Sequence, residues 1–460
     1  MDKAMQIQSG HTGKLSKTML LLGLSLGYFM VLLDMTVVSV ALPAIRSELG
    51  GGISGLQWVV NSYTIVFAGF LLSMGAFADK LGAKRVYLSG LALFLAASAI
   101  SAVVSSLGML IGLRAILGVG GAALMPASLT LLAHAYPEPA ERARALGIWA
   151  AVTGVAMAAG PVVGGLLVDS FGWRSIFLLN IPLAGVSLIM TFLFVTETER
   201  KSGKSLDMGG QITAIAAIAS VSFGLMEGET YGWNSPVIIA AFSVALSGVI
   251  LFLIFEAKGK SPLLPLQLFK NRTVSAGMLA GMAINIGLSG ILFVLPMFFQ
   301  QMRGLSAHTA GLALLPMMIP MAFNPIITGR IVGRIGARMP MTLGFSLGGA
   351  GTLLQVLTDV NSSYVITMIG LLLIGFGVSF TIPSLMAAVI SSVPRELTGA
   401  VSGALNSSRQ LGATLGVAIL GSILGGSSSF IAGMHMSLIV TTVNMIGGSL
   451  LSFVFIGRRQ

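Results

Sequence analysis

The sequence predicts an all-α membrane protein, with fourteen transmembrane helices forming two pseudo-symmetric six-helix bundles and an extra helix hairpin inserted between them. Three observations predict it. Charged residues are only 9% of the chain and hydrophobic ones 55%, whereas soluble domains carry about 25% charged residues. Apolar runs recur from end to end, each exceeding the roughly 18 residues that mark a membrane-crossing helix. The 59 glycines are scattered through those runs, and small residues let membrane helices approach closely.

The first run spans 19–41 and follows a polar, basic stretch. Ser39-Val40-Ala41 loosely resembles a signal-peptide cleavage site, but the run is too long for such a signal and Asp34 interrupts it, so an uncleaved first helix is expected. Five further runs, 57–77, 86–104, 109–132, 145–168 and 175–195, complete a bundle within residues 1–200. Runs 209–227 and 236–256 form the hairpin, within a linking region 201–273. The second bundle, 274–460, holds runs 274–297, 309–328, 340–357, 363–390, 399–424 and 435–456.

Loop charges set the orientation. Of the 26 Lys and Arg, only Arg46, Arg174 and Arg303 fall on the side opposite the N-terminus, while Arg114 and Arg409 lie inside helices. The others, including Lys80, Lys84, Arg85, Lys201, Lys204, Lys260, Arg395, Arg458 and Arg459, share one side. Lys and Arg favour cytoplasmic loops, so both termini are expected in the cytoplasm of a multi-pass cell-membrane protein. The net charge of +11 is spread over short loops and forms no stripe for nucleic acid.

Internal repetition supports two related halves. Gly75-Ala-Phe-Ala-Asp-Lys-Leu-Gly-Ala-Lys84 recurs as Gly329-Arg-Ile-Val-Gly-Arg-Ile-Gly-Ala-Arg338. Gly118-Val-Gly120 with Pro126 recurs as Gly375-Phe-Gly377 with Pro383. Helices 1–6 therefore match helices 9–14, a plan that places a substrate site between halves near the midplane.

These segments carry a resemblance. Gly75 to Arg85 is similar to the loop motif GxLaDrxGrkr of the major facilitator superfamily, with Phe77 at the Leu position. Leu33 to Pro43 resembles the first-helix motif of its fourteen-helix drug:proton antiporter branch. Arg114 to Gly120 is similar to RxxqGxG, with Leu117 at the Gln position. Gly154, Gly160-Pro161 and Gly164-Gly165 resemble the fifth-helix antiporter motif, and Gly172 to Pro182 the one after it. Asp207 to Gly210 and Arg409-Gln410-Leu-Gly412 resemble segments of helices 7 and 13 in the same branch. Within it the chain looks most like the methylenomycin-resistance type of exporter. The resemblance implies efflux of antibiotics or other small amphipathic toxic compounds by drug/proton antiport, with the lipid bilayer as setting and a monomer as working unit. An importer of a small metabolite on the same fold is the alternative.

Charges at membrane depth cost at least ~2.5–3.5 kcal/mol to insert, which makes each a functional hypothesis. Asp34 can carry a proton between the two sides, or can merely bond a neighbouring helix. Arg114 keeps its proton and needs a counter-charge; it either tunes that carboxyl or pairs structurally. Arg409 either faces the cavity, where it attracts an anionic or carbonyl-bearing substrate, or caps helix ends. Glu227 reads as a solvated helix end. Asn61, Tyr63, Asn285, Asn324, Asn406 and Gln410 are the remaining polar candidates for the cavity. With so few buried acids, neutral, zwitterionic, monocationic or weakly acidic compounds fit better than dications.

Gly160-Pro161 and Gly164-Gly165 point either to a kinked, tight contact that blocks proton leak between bundles or to ordinary close packing. Gly75, Asp79, Gly82, Lys84 and Arg85 read either as a solvated positive-inside loop or, as the resemblance implies, as a conformational latch with Asp79 against a helix N-terminus of the other bundle. The second copy has Gly333 in place of Asp79, so that latch is one-sided.

Other signals carry no function. Gly118-Val-Gly120-Gly121-Ala-Ala123 matches a dinucleotide-binding pattern but follows no strand. Ser202-Gly203-Lys204-Ser205 ends like a phosphate loop, but Thr198 stands where its first Gly belongs. The four histidines are scattered and propose no metal. No cofactor and no enzymatic activity are expected, leaving an ion gradient as the energy source.

Overall fold

The computed structural model describes residues 2–200, 207–259, 266–394 and 397–457. Lys201, Lys204, Lys260, Arg395, Arg458, Arg459 and the Ser202–Ser205 stretch lie outside them. Among the described residues the fold is all-helical. In order the helices are α1 (Asp2–Leu49), α2 (Ile53–Leu81), α3 (Ala83–Ser101), α4 (Leu107–Ala135) and α5 (Pro139–Phe171). Then come α6 (Ser175–Phe194), α7 (Met208–Tyr231), α8 (Pro236–Lys258), α9 (Arg272–Met297) and α10 (Ala307–Ala313). The last are α11 (Leu315–Ile335), α12 (Arg338–Gln355), α13 (Tyr364–Ser391), α14 (Thr398–Gly425) and α15 (Phe430–Phe455).

Helix starts follow capping chemistry. Ser106, Asp207, Ser235, Asn271, Ser306, Ser363 and Ser429 each accept a backbone N–H of the first turn, satisfying a donor the helix itself leaves open. The expected run 309–328 is split at Leu314, between α10 and α11. Pro316 follows directly and has no N–H to continue the ladder.

Among the described residues, eleven helices are long and apolar enough to cross a membrane, twelve if the bent α2 counts as one span. The sequence reading expects fourteen. α12 and α14 are less apolar, because Arg338 and Gln355 stand in the first and Asn406, Arg409 and Gln410 in the second, among many glycines. α2 bends by 54° between Ile53–Leu71 and Ser73–Leu81. A side chain inserts into its ladder at that point: Gln211 of α7 donates to the Gly69 carbonyl at 2.7 Å and also pairs with Ser73 Oγ. An inserted hydrogen-bonding group of this kind is an established cause of helix bending.

Helix pairing repeats between the halves. In the first, α1 packs on α5 and α6, α4 on α2 and α3, and α3 on α6. In the second, α9 packs on α14 and α15, α13 on α11 and α12, and α12 on α15. α7 pairs with α8 and lies against α2 and α14. The halves meet through α2 and α14, and through α5 against α10 and α11.

Candidate functional site

Asp34 and Arg114 form an ion pair in the middle of the first half, 0% and 1% exposed. At that burial neither charge is stable alone, so each remaining polar atom needs a partner. Asn180 Nδ2 of α6 donates to Asp34 Oδ1 at 2.8 Å and also reaches Ser98 Oγ of α3 at 3.2 Å. Arg114 Nε donates to the Val59 carbonyl of α2 at 3.0 Å. The guanidinium lies over the Tyr63 ring, 4.5 Å from its centroid. Tyr63 in turn stacks on Phe67. Five helices thus converge on one carboxylate.

Between the halves lies a cavity of about 560 Å³. α1 supplies Tyr28, Leu32, Met35, Thr36 and Ser39, and α5 supplies Trp149, whose ring stacks on Tyr28 at 4.6 Å. α9 contributes Asn285 and Phe293; α14 contributes Asn406, Arg409 and Gln410. Asn285 Nδ2 donates to the Arg409 carbonyl at 2.8 Å, fixing α9 to α14 across the cavity wall.

Four expected cavity residues, Asn285, Asn406, Arg409 and Gln410, line this space. Asn61, Tyr63 and Asn324 do not reach it, because helix–helix contacts absorb them. Asn61 donates to the Thr414 carbonyl at 3.2 Å. Asn324 donates to Ser379 Oγ at 2.8 Å, tying α11 to α13. Tyr63 is spent under Arg114.

The fifth-helix glycines sit where backbones touch. A Cβ at Gly160 would fall 1.9 Å from Thr36 Oγ1, and one at Gly164 2.5 Å from Val37 Cγ2, so these two press α5 onto α1. Gly165 meets the other half: a Cβ there would lie 2.3 Å from the Ala307 carbonyl oxygen. Gly311 returns the contact, at 2.1 Å from the Pro161 carbonyl oxygen. Gly154 is looser, with Ala322 at 3.8 Å.

Three polar clamps join the halves at this same end of the molecule. Asp169, one turn beyond Gly165, accepts from the Ala307 and His308 amides at 3.0 and 2.9 Å, capping α10. Gln57 Nε2 donates to the Val417 and Ala418 carbonyls, each at 2.9 Å. Gln300 Nε2 donates to the Val40 carbonyl at 2.9 Å. At the opposite end, a Cβ added at Gly147 of α5, Gly329 of α11 or Gly399 of α14 would meet nothing within 4 Å. The three polar clamps therefore gather at one end of the halves.

Part of the loop expected to act as a latch is anchored within its own half. Glu197 Oε1 and Oε2 accept from the Lys84 and Arg85 amides at 2.9 and 3.1 Å, and Thr198 Oγ1 accepts from the Ala83 amide. Glu197 also lies against Gly82, which has φ +101° and would clash with it through any Cβ. Gly75 packs toward Pro126 of α4. Gly75, Gly82, Lys84 and Arg85 are therefore tied within their own half, and Asp79 is half-buried beside them.

Glu227 is expected to be a solvated end; instead its Oε1 accepts from Ser54 Oγ at 2.6 Å and Trp58 Nε1 at 2.9 Å, fastening α7 to α2. Among the described residues no three His, Asp or Glu side chains converge to hold a metal ion. Sequence reasoning gave no role to Asn180, Asp169, Gln57, Gln300, Glu197, Tyr28 or Trp149. Only Asn180 carried a signal, as part of the segment after Gly172.

Comparison with known proteins agrees with this plan. The profile of the Major Facilitator Superfamily matches residues 24–417. The chain is 35% identical to the methylenomycin A resistance protein of Bacillus subtilis over 441 residues, 96% of this chain and 94% of that protein. It is 34% identical to the methylenomycin A resistance protein of Streptomyces coelicolor, over 95% of this chain and 92% of that one. The multidrug resistance protein Stp of Mycobacterium tuberculosis is 35% identical over 88% of this chain and 75% of its own length. Among solved structures, the nucleoside transporter NupG superposes with a TM-score of 0.70 at 12% identity, covering 96% of this chain and all of that one. A bacterial homologue of the lysosomal transporter Spinster, inward-facing, gives 0.66 at 16% identity over 95% and 96% of the two chains.

Proposed function

The chain belongs to the Major Facilitator Superfamily, and from that membership we propose that it exports antibiotics or similar small amphipathic compounds in exchange for protons. The observation that carries the coupling is the Asp34–Arg114 pair, sealed from solvent directly behind the drug-sized cavity. A carboxyl with its own fixed cation and an Asn donor is suited to alternate between paired and protonated states. The cavity, lined mainly by aliphatic, aromatic and Met side chains, suits an amphipathic guest. The protein is a transporter and not an enzyme.

In this reading all fourteen runs cross the membrane, α2, α12 and α14 included. Residues 1–200 and 274–460 are the rocking halves, 201–273 carries the inserted hairpin, and one chain is the working unit. The N-terminus is cytoplasmic by the loop charges. The closed end then faces outward and the cavity is reached from the cytoplasm. Export proceeds as the Gly165–Ala307 contact and the Asp169 cap release while the opposite end closes.

The test uses purified protein in liposomes under an imposed pH gradient, with an internal pH dye and a panel of antibiotics. Drug-triggered proton movement that is lost in Asp34→Asn, with insertion preserved, supports the reading. Import of a metabolite in place of drug-dependent proton flux would overturn it.

A further inference from the structure

The cavity's charge is one-sided. Among its lining residues only Arg409 is formally charged; no Asp, Glu or Lys takes part. Nor does any acid of the described residues pair with it. Its Nε is buried without a hydrogen-bond partner, and Nη1 reaches only Asn406 Oδ1 at a long 3.5 Å. The one buried carboxylate in reach of the midplane, Asp34, is consumed by Arg114 and Asn180. Asn285 anchors the Arg409 backbone but leaves the guanidinium unsatisfied.

A half-buried guanidinium in the cavity wall, with its Nε sealed and its donors open, favours a guest that supplies acceptors. Its fork matches a two-oxygen anion, each oxygen taking one N–H. Around it, Tyr28 and Trp149 form an aromatic wall, and Met35, Leu288 and Phe293 add apolar surface. An anion without an apolar body would leave that surface wet.

We propose that the transported compound is a monoanionic amphiphile, a carboxylate or acidic enol on an apolar ring body, with Arg409 as its counter-ion. This deepens the exporter reading and rests on it for the word transported; the binding site stands on geometry alone.

The test is isothermal titration of the full-length protein in detergent with 2-naphthoate, 2-naphthamide and 2-naphthylmethylammonium, and with acetate as an anion lacking the ring. 2-Naphthoate should bind about tenfold or more tighter than the other two ring compounds, as one desolvated charge contact can provide. Arg409→Gln should erase that preference while its thermal unfolding in detergent matches the parent, which shows that the variant is folded; Arg409→Lys should keep part of it. Equal affinity for the three ring compounds, absence of binding, or a preference surviving Arg409→Gln overturns the proposal. Acetate binding as tightly as naphthoate does so too, by showing a small-anion site. Proton flux driven by uncharged drugs with no anion preference would leave the exporter reading intact and sink this one. Arg409-dependent naphthoate binding with no drug-driven proton flux would do the reverse.

Discussion

Asp34 and Thr36 are two residues apart on α1 and serve opposite sides of it. Thr36 lines the cavity together with Leu32, Met35 and Ser39, while Asp34 is wholly buried against Arg114 and Asn180. At 100° per residue, Asp34 points roughly 150° away from the mean direction of the cavity-lining positions. In the proposed exchange, drug and proton then use different groups. Coupling in that exchange passes through α1 itself, whose cavity-lining Thr36 is also held by Gly160 of α5.

The ion pair predicts an asymmetric stability cost. Arg114→Gln leaves a buried carboxylate uncompensated and should destabilise the protein by about 3–5 kcal/mol. Asp34→Asn with Arg114→Gln removes both charges and should recover much of that loss. Thermal unfolding in detergent of the two single variants and the double one measures it. A double variant as unstable as the sum of the singles would mean the two residues do not act as a pair.

Glu197 predicts a local anchoring role at the loop after α2. Its two oxygens hold the Lys84 and Arg85 amides at the start of α3, and losing such a cap costs about 1 kcal/mol. Glu197→Ala should lower thermal stability by that amount. Drug-driven proton flux should fall further than the stability loss explains if this loop also moves during transport. Glu197→Gln, which keeps an acceptor, should be milder in both readouts.

The Trp149–Tyr28 stack predicts selectivity among guests. The rings are nearly parallel, 6° apart at 4.6 Å, and such contacts are worth about 0.5–1.5 kcal/mol beyond burial. Trp149→Leu should weaken binding of aromatic compounds severalfold and leave aliphatic ones of similar size nearly unchanged. Titration with a matched pair, 2-naphthoate and decalin-2-carboxylate, reads it. Equal losses for both would assign Trp149 to the wall's shape rather than to ring recognition.

The all-helical fold was legible because the apolar runs and the repeated Gly-rich segments are local in sequence, whereas the break of run 309–328 at Leu314 was not. The buried charges were legible for a related reason: Asp34, Arg114 and Arg409 interrupt apolar stretches and stand out by cost. What each one faces was not legible. Asn61, Asn285 and Asn324 look alike in sequence, yet only Asn285 lines the cavity. The difference is a helix rotation set by partners far away in the chain, Thr414 for Asn61 and Ser379 for Asn324. Asp169 and Gln57 were missed because they lie at helix ends, where polar residues are ordinary. Their meaning arises only from the carbonyls and amides that the other half brings to them.

Gly165 gives the sharpest conformational prediction. Its backbone approaches the Ala307 carbonyl so closely that a Cβ would fall 2.3 Å away, a contact that backbone atoms cannot relieve by rotating. Asp169 caps α10 beside it, so the two residues act on one joint by different physics. Gly165→Val should hold the joint open by steric exclusion; Asp169→Asn should weaken it by about 1 kcal/mol, the worth of a charged cap at a helix start. The chain has no Cys, so spin labels at Ser170→Cys and Thr309→Cys report the gap without background. In the parent the short distance should dominate. In Asp169→Asn a longer one should gain about fivefold in population, and in Gly165→Val it should take over. Drug-driven proton flux should fall in Gly165→Val, because a joint that never closes either stalls the cycle or leaks protons. A distance distribution unchanged in Gly165→Val would mean that this contact does not set the closed end, and that Gln57 and Gln300 hold it instead.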